Sequence, residues 1–206
     1  MHQIYYAKIK PLLNEERYDF YFKRLPKSRQ KRAKGHLHKL DKIRSTAAFS
    51  LLMKLLNDNH IRYKNDSFKI DKNGKLYLAN SKIYLNIAHG GNYVVAGISD
   101  HPIGVDVEYI NREKRYKEIV DLVFNQDEKE KFYYKFRKKR FFYQVWTSKE
   151  SYVKCIGKGL QVGMTTINIP SLERKGYYFK LFFLKKHQFA ICNKDKPVEN
   201  IKEIEL

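Results

Sequence analysis

The hydrophobic period of this chain changes at Ser67, and that change limits the possible folds more than any single residue. Before it, Leu37, Leu40, Ala47, Ala48, Leu51, Leu52, Leu55 and Leu56 recur every three or four residues, which predicts a helix over 35–59. The basic segment KRLPKSRQKRAK lies just upstream, with Pro26 placed where a helix would start. After Ser67 the pattern is one of short β-branched and aromatic runs. SFKI and KLYL flank Asp71-Lys72-Asn73-Gly74, a strong hairpin signal. KIYLNIA, the turn HGGN, YVVAGIS and, past His101-Pro102, IGVDVEYI follow as further strands. Tight connections between them favour an antiparallel sheet.

The second half repeats this order of helices, then strands. Asn125 and Glu128 have capping-pair spacing, and a helical region runs from there towards Cys155, broken near RKKR and ended by Gly157 and Gly159. TTINIP, YYFKLFFL, FAICN and IKEIEL are predicted strands. The expected class is α+β: two similar subdomains, 1–103 and 104–206, each an antiparallel sheet packed on helices. A length of 206 residues, 43% of them hydrophobic, suffices for one large or two small cores.

Charge and composition narrow the partners. The net charge of +20 calls for an anionic partner such as nucleic acid, a phosphorylated cofactor, an anionic membrane surface or an acidic protein. No apolar run is long enough to span a membrane, and MHQIYYAKIK lacks the form of a signal peptide, so the expected location is the cytoplasm. Cys155 and Cys192 are too few for a disulfide framework or a zinc site and read as structural.

In so basic a chain the carboxylates need explaining. On a strand, Asp106 and Glu108 share one face while Val105 and Val107 share the other. Two like charges that close need a proton, a basic side chain or a cation between them. Magnesium bound by carboxylates, waters and phosphate oxygens is one solution, and an exposed strand face is the other. In WTSKESYVKCIGKGL, a helix would align Trp146, Glu150 and Lys154 one turn apart. Taken alone, Glu150 and Lys154 read as a surface ion pair. His89 precedes two glycines, which let a backbone approach a ligand, but an ordinary turn histidine fits equally.

Taken together, these blocks resemble the 4′-phosphopantetheinyl transferases, in particular the Sfp-type group that acts on carrier proteins. The resemblance rests on Ile103-Gly104-Val105-Asp106-Val107-Glu108, on Trp146-Thr147-Ser148-Lys149-Glu150-Ser151 with Lys154, on Gly157-Lys158-Gly159-Leu160, and on Asn86-Ile87-Ala88-His89-Gly90-Gly91. It covers about Leu25 to Leu160. It implies a monomer with its active site between two pseudo-twofold subdomains, moving phosphopantetheine from coenzyme A onto a serine of an acyl or peptidyl carrier protein, an acidic helical bundle, and releasing adenosine 3′,5′-bisphosphate. By the same resemblance Asp106, Glu108 and Glu150 bind Mg²⁺. Glu150 also activates the serine, directly or through water, and Lys154 contacts the phosphates being cleaved. Arg29, Arg32, Arg44, Ser45, Lys75 and His89 fall where the family holds coenzyme A. Ala88-His89-Gly90 departs from the serines that relatives often carry there, which removes a hydroxyl contact but leaves the histidine.

Such chemistry asks chiefly for positioning and charge stabilisation, which three carboxylates, a metal and a lysine provide. Aromatic and basic residues interleave in KEKFYYKFRKKRFFYQ, where part of a carrier-docking surface is expected. The rival readings are a nucleic-acid-binding module, which explains the charge and the 16 Tyr and 13 Phe, and a magnesium-dependent nuclease using the same carboxylates. The first leaves the acidic pattern idle, and the second gives the coenzyme A blocks no role.

Overall fold

A computed structural model describes residues 1–111 and 116–206. It is an α+β protein whose two halves use one strand order. The first half has strand β1 (His2–Lys8), helices α1 (Glu15–Arg24), α2 (Lys27–Lys34) and α3 (Lys39–Asp58), the short pair β2 (Phe68–Ile70) and β3 (Leu76–Leu78), then the hairpin β4 (Tyr84–Gly90) and β5 (Tyr93–Ser99). The second has β6 (Ile103–Tyr109), α4 (Tyr116–Val123), α5 (Gln126–Tyr134), α6 (Lys138–Ile156), α7 (Ile169–Arg174), the hairpin β7 (Tyr177–Leu184) and β8 (His187–Lys194), and β9 (Ile201–Glu203). In each half the second strand of the hairpin lies centrally, antiparallel to both its hairpin partner and the opening strand: β4-β5-β1 and β7-β8-β6. β9 departs from the antiparallel expectation. It returns to the first sheet and pairs parallel with β1, Ile4 opposite Ile201.

Several boundaries differ from the sequence reading for local reasons. The helix expected over 35–59 starts four residues later, at Lys39, and the basic segment before it forms a helix of its own, α2, that follows Pro26. Gly35 ends α2, and His38 adopts an extended conformation that starts α3 at Lys39. Leu37 is consequently 92% exposed and Leu40 46% exposed, so neither joins the apolar stripe. TTINIP is not a strand. Met164–Thr166 forms a 3₁₀ turn, and the Asn168 side chain accepts from Ser171 N to open α7, with Pro170 in its first turn. The second helical region divides at Lys135, whose backbone is extended. Its Asn125–Glu128 capping box and left-handed Gly157 cap form as expected. β1, α1 and α4 are not among the elements expected from the sequence, although Asn14 caps α1 and Glu15 and Glu16 fill its first turn.

Among the described residues, four apolar clusters hold these elements. Leu51, Leu52 and Leu55 of α3 pack on Val94, Ala96 and Ile98 of β5. Ile4, Val95, Val105, Val107, Phe189 and Ile191 join the two sheets. α4, α5 and α6 share Val120, Phe124, Phe132 and Phe142, with Phe124 and Phe142 stacked at 5.8 Å. A smaller cluster seats α7 and β7 around Val153, Ile167 and Leu172. β6 is central to this arrangement. Val105 and Val107 enter the inter-sheet core, and the alternate residues face α6. Gly104 is where the helix comes closest: a Cβ there would stand 2.0 Å from Ser151 O and 2.3 Å from Cys155 N. Only glycine admits α6 at that distance.

Candidate active site

Residues two apart on β6 meet residues four apart on α6. Asp106, 5% exposed, accepts from the Lys154 ammonium at 2.6 Å. Trp146 Nε1 donates to Glu108 Oε1 at 3.3 Å. Glu150 lies on the same helix face, between Trp146 and Lys154. Burial raises the Glu150 pKa, Lys154 partly offsets this, and Asp106 adds to it. Burial alone would pull the Lys154 ammonium down, but Asp106, then Glu150 and Glu108, outweigh it and hold the pKa above the ordinary lysine value. The like-charge problem of the three carboxylates is therefore met here by a lysine.

The other Asp106 oxygen, Oδ2, is buried with no hydrogen-bond partner. An orphaned carboxylate oxygen among two further carboxylates is a donor set suited to a hard divalent cation. Among the described residues, no three His, Cys, Asp or Glu side chains are close enough together to hold a metal on their own. The donor chemistry fits magnesium, which needs only one or two carboxylates when water and phosphate complete its shell.

A cavity of about 410 Å³ opens beside this cluster and reaches both halves. Glu150 and Lys154 line its α6 wall, and Arg29, Arg32, His36 and His89 line the wall towards α2 and β4. Ser45 and Lys75 also border it. Arg29 is 9% exposed, stacks its guanidinium 4.9 Å over Phe49, and has no carboxylate partner among the described residues. Burial, then the neighbouring Arg32, pushes its pKa down to about 10. It stays cationic at neutral pH, so an anion entering the cavity would relieve both penalties. Burial, then Arg44 and Lys154, lowers the His89 pKa, making it a neutral hydrogen-bonding group near pH 7.

Not every expected residue faces the cavity. Arg44 donates to Gly91 O and Asp41 Oδ1, both at 2.8 Å, and so ties α3 to the β4–β5 turn. The Lys75 ammonium points at backbone carbonyls of α6: Lys154 O at 2.7 Å and Cys155 O at 2.6 Å. Asp106 and Glu108 stand behind Lys154 and Trp146 and do not line the cavity. His36 lines it without a motif to announce it; its only sequence signal is its place at the end of the basic segment. Lys149, inside the helical motif, is fully buried and points elsewhere. It binds Glu128 Oε2 at 2.6 Å, Val123 O at 2.7 Å and Met164 O at 2.9 Å, fastening α6 to α4, α5 and the following loop.

Comparison with known proteins finds relatives for most of the chain. The model of the 4′-phosphopantetheinyl transferase superfamily matches residues 102–201. The 4′-phosphopantetheinyl transferase gsp of Aneurinibacillus migulanus is 27% identical over 183 residues, covering 87% of this chain and 76% of its own. The 4′-phosphopantetheinyl transferase Sfp of Bacillus subtilis (strain 168) is 27% identical over 164 residues, covering 78% and 72%. A 4′-phosphopantetheinyl transferase of Bacillus subtilis is 30% identical over 112 residues, covering 50% and 46%. A solved holo-[acyl-carrier-protein] synthase of Thermotoga maritima gives a TM-score of 0.37 at 16% identity over 46% of this chain and 63% of that one, a likeness too loose to bear on the assignment. The family match spans just under half of the chain, and the relatives it resembles are 4′-phosphopantetheinyl transferases of the Sfp type, the enzyme class these similarities support.

Proposed function

We propose that this protein transfers 4′-phosphopantetheine from coenzyme A to a serine of an acyl or peptidyl carrier protein, with Mg²⁺, releasing adenosine 3′,5′-bisphosphate. The observation that carries this reading is the cavity between the halves, basic on one wall and lined by Glu150 and Lys154 on the other. Arg29, Arg32, His36, Ser45 and His89 would hold the adenosine 3′-phosphate side of the cofactor, and the pantetheine-bearing phosphate would lie near Lys154. The raised pKa of Glu150 suits a group that must take the serine proton, directly or through water. Lys154 would then counter the charge that builds on the leaving bisphosphate. Asp106, Glu108 and Glu150 are the carboxylates from which magnesium would draw one or two ligands, with water and phosphate oxygens completing its shell. When bound, it stabilises negative charge on the phosphate oxygens.

In this reading, residues 1–103 supply the cofactor contacts and 104–206 the chemistry, within a cytoplasmic monomer. Carrier docking is assigned to the corner between α5 and α6. Tyr134 and Phe136 are 91% and 99% exposed there, and residues 131–140 hold six basic side chains and no acidic one. From Lys138 along α6 to Glu150 is about 18 Å. That is comparable with the half-width of a small helical domain. A partner seated with its serine at Glu150 would therefore cover the corner.

The direct test is intact-mass spectrometry of an apo carrier protein incubated with this protein and coenzyme A, with Mg²⁺ or with EDTA. The expected result is a gain of about 340 Da, the phosphopantetheine arm, in the magnesium sample only. No gain across acyl and peptidyl carriers, together with no coenzyme A binding by titration, would overturn the reading.

A further inference from the structure

The family motif ends in Gly157-Lys158-Gly159, and the proposed chemistry gives these residues no task. Their surroundings supply one. The tip of the β2–β3 hairpin, from the first half of the chain, lies against the C-terminal end of α6. Asp71 Oδ1 accepts from the backbone N–H groups of Asn73 and Lys75, both at 2.8 Å, which fixes the tip. From that tip Asn73 Nδ2 donates to Gly157 O at 2.9 Å. The Lys75 ammonium donates to Lys154 O and Cys155 O. These carbonyls belong to the last turn of α6, whose acceptors have no partners within the helix. A cation there also complements the helix dipole.

The glycines make room for this contact. Gly157 has φ +68°, and a Cβ on it would stand 2.8 Å from Lys75 Cδ. Gly159 has φ +58°, and a Cβ on it would be 3.3 Å from Asn73 O. A side chain at 157 would be strained and would displace the lysine stem.

We propose that Lys75 is a positioning residue for transfer: by holding the Lys154 and Cys155 carbonyls from the opposite half, it sets the last turn of α6 and thereby the Lys154 ammonium against Asp106. Asn73 is its auxiliary. The hairpin tip also borders the cavity, through Asn73, Gly74 and Lys75, so one element touches both the cofactor space and the helix that carries the chemistry. This replaces the expectation that the Lys75 side chain contacts coenzyme A. It rests on the transferase reading above.

Lys75→Met keeps the stem and removes the donors. The two roles for Lys75 predict opposite kinetics. A positioning role predicts that kcat for carrier modification falls about tenfold or more while the coenzyme A Kd, measured by calorimetric titration, changes less than about twofold. Lys75→Arg should recover part of kcat, because a guanidinium also reaches two carbonyls. If the coenzyme A Kd instead rises about tenfold with kcat retained, the side chain is a cofactor ligand and the proposal fails. If only the melting temperature falls, its role is purely structural and the proposal fails equally. Should Lys75→Met not fold, Asn73→Ala removes the second bond and is expected to lower kcat several-fold, again with Kd held; an unchanged kcat overturns the proposal. Wild-type protein run in parallel separates the two levels of inference, because absence of transfer there refutes the transferase reading itself.

Discussion

Lys154 and Asp106 form the central ion pair of the site, at 2.6 Å, and the second Asp106 oxygen is buried beside it without a partner. Removing the carboxylate takes away the lysine's principal counter-ion and the orphaned donor together. Asp106→Ala is expected to lower transfer by at least about a hundredfold while circular dichroism stays unchanged. Mass spectrometry of carrier modification over time checks it, and wild-type rates in the variant would remove Asp106 from the site.

Glu150 ties activity and stability to pH in opposite directions. Its folded-state pKa is raised, chiefly by burial, so the folded protein holds the proton more tightly than the unfolded chain does. Stability is then lost as pH rises from the ordinary glutamate value through the raised one. Activity should increase over that same interval, because the base must be ionised. Glu150→Gln is expected to abolish transfer yet raise the melting temperature near neutral pH, with the gain disappearing below the ordinary glutamate pKa. Calorimetric melting at two pH values reads the sign directly.

Arg32 and Arg29 should separate binding from packing. Arg32 is exposed at the cavity, so Arg32→Ala should raise the coenzyme A Kd about tenfold with little change in melting temperature. Arg29 also stacks on Phe49, so Arg29→Ala should weaken binding and lower the melting temperature as well. Titrations at two salt concentrations, paired with melts, test both. An unchanged Michaelis constant for coenzyme A in Arg32→Ala would end the phosphate assignment.

Lys149 is a structural counterpart to its neighbour Glu150. Its buried pair with Glu128 links α6 to the α5 capping box. Lys149→Met strands Glu128 and two carbonyls, and should cost about 3–5 kcal/mol in urea unfolding. A loss below about 1 kcal/mol would show that water reaches the pair.

Phe136 and Tyr134 are exposed enough to change without disturbing the core. The double substitution Phe136→Ser with Tyr134→Ser is expected to raise the Michaelis constant for the carrier about tenfold and leave that for coenzyme A alone. Unchanged carrier kinetics would move the docking surface elsewhere.

How much of this was legible beforehand depended on whether the signal was local. The Asn73-Gly74 turn, the Asn125–Glu128 box and the Gly157 cap are each decided within a few residues, and each formed as read. Alternation along β6 correctly placed Asp106 and Glu108 on one face, because strand geometry leaves no other choice. The start of α3 was misread because Leu37 and Leu40 matched the period but lie in and just after the break at Gly35–His38. TTINIP was misread because its β-branched residues outweighed an Asn168-Ile169-Pro170 helix start. Partners far apart in the chain were invisible. Nothing near residue 75 shows that its ammonium will meet a helix 79 residues later. Nothing in Ile201–Glu203 marks it for β1.

The return of β9 bears on how the chain matures on the ribosome. From β1, Ile4 N–H donates to Asn200 O and Tyr6 O accepts from Ile204 N–H, and both partners are made long after β1 itself. Throughout synthesis of the second half, the nascent first half therefore presents an open strand edge, the kind of surface on which another chain can pair. The last strand closes that edge, so the two halves reach their protected state together and not in succession.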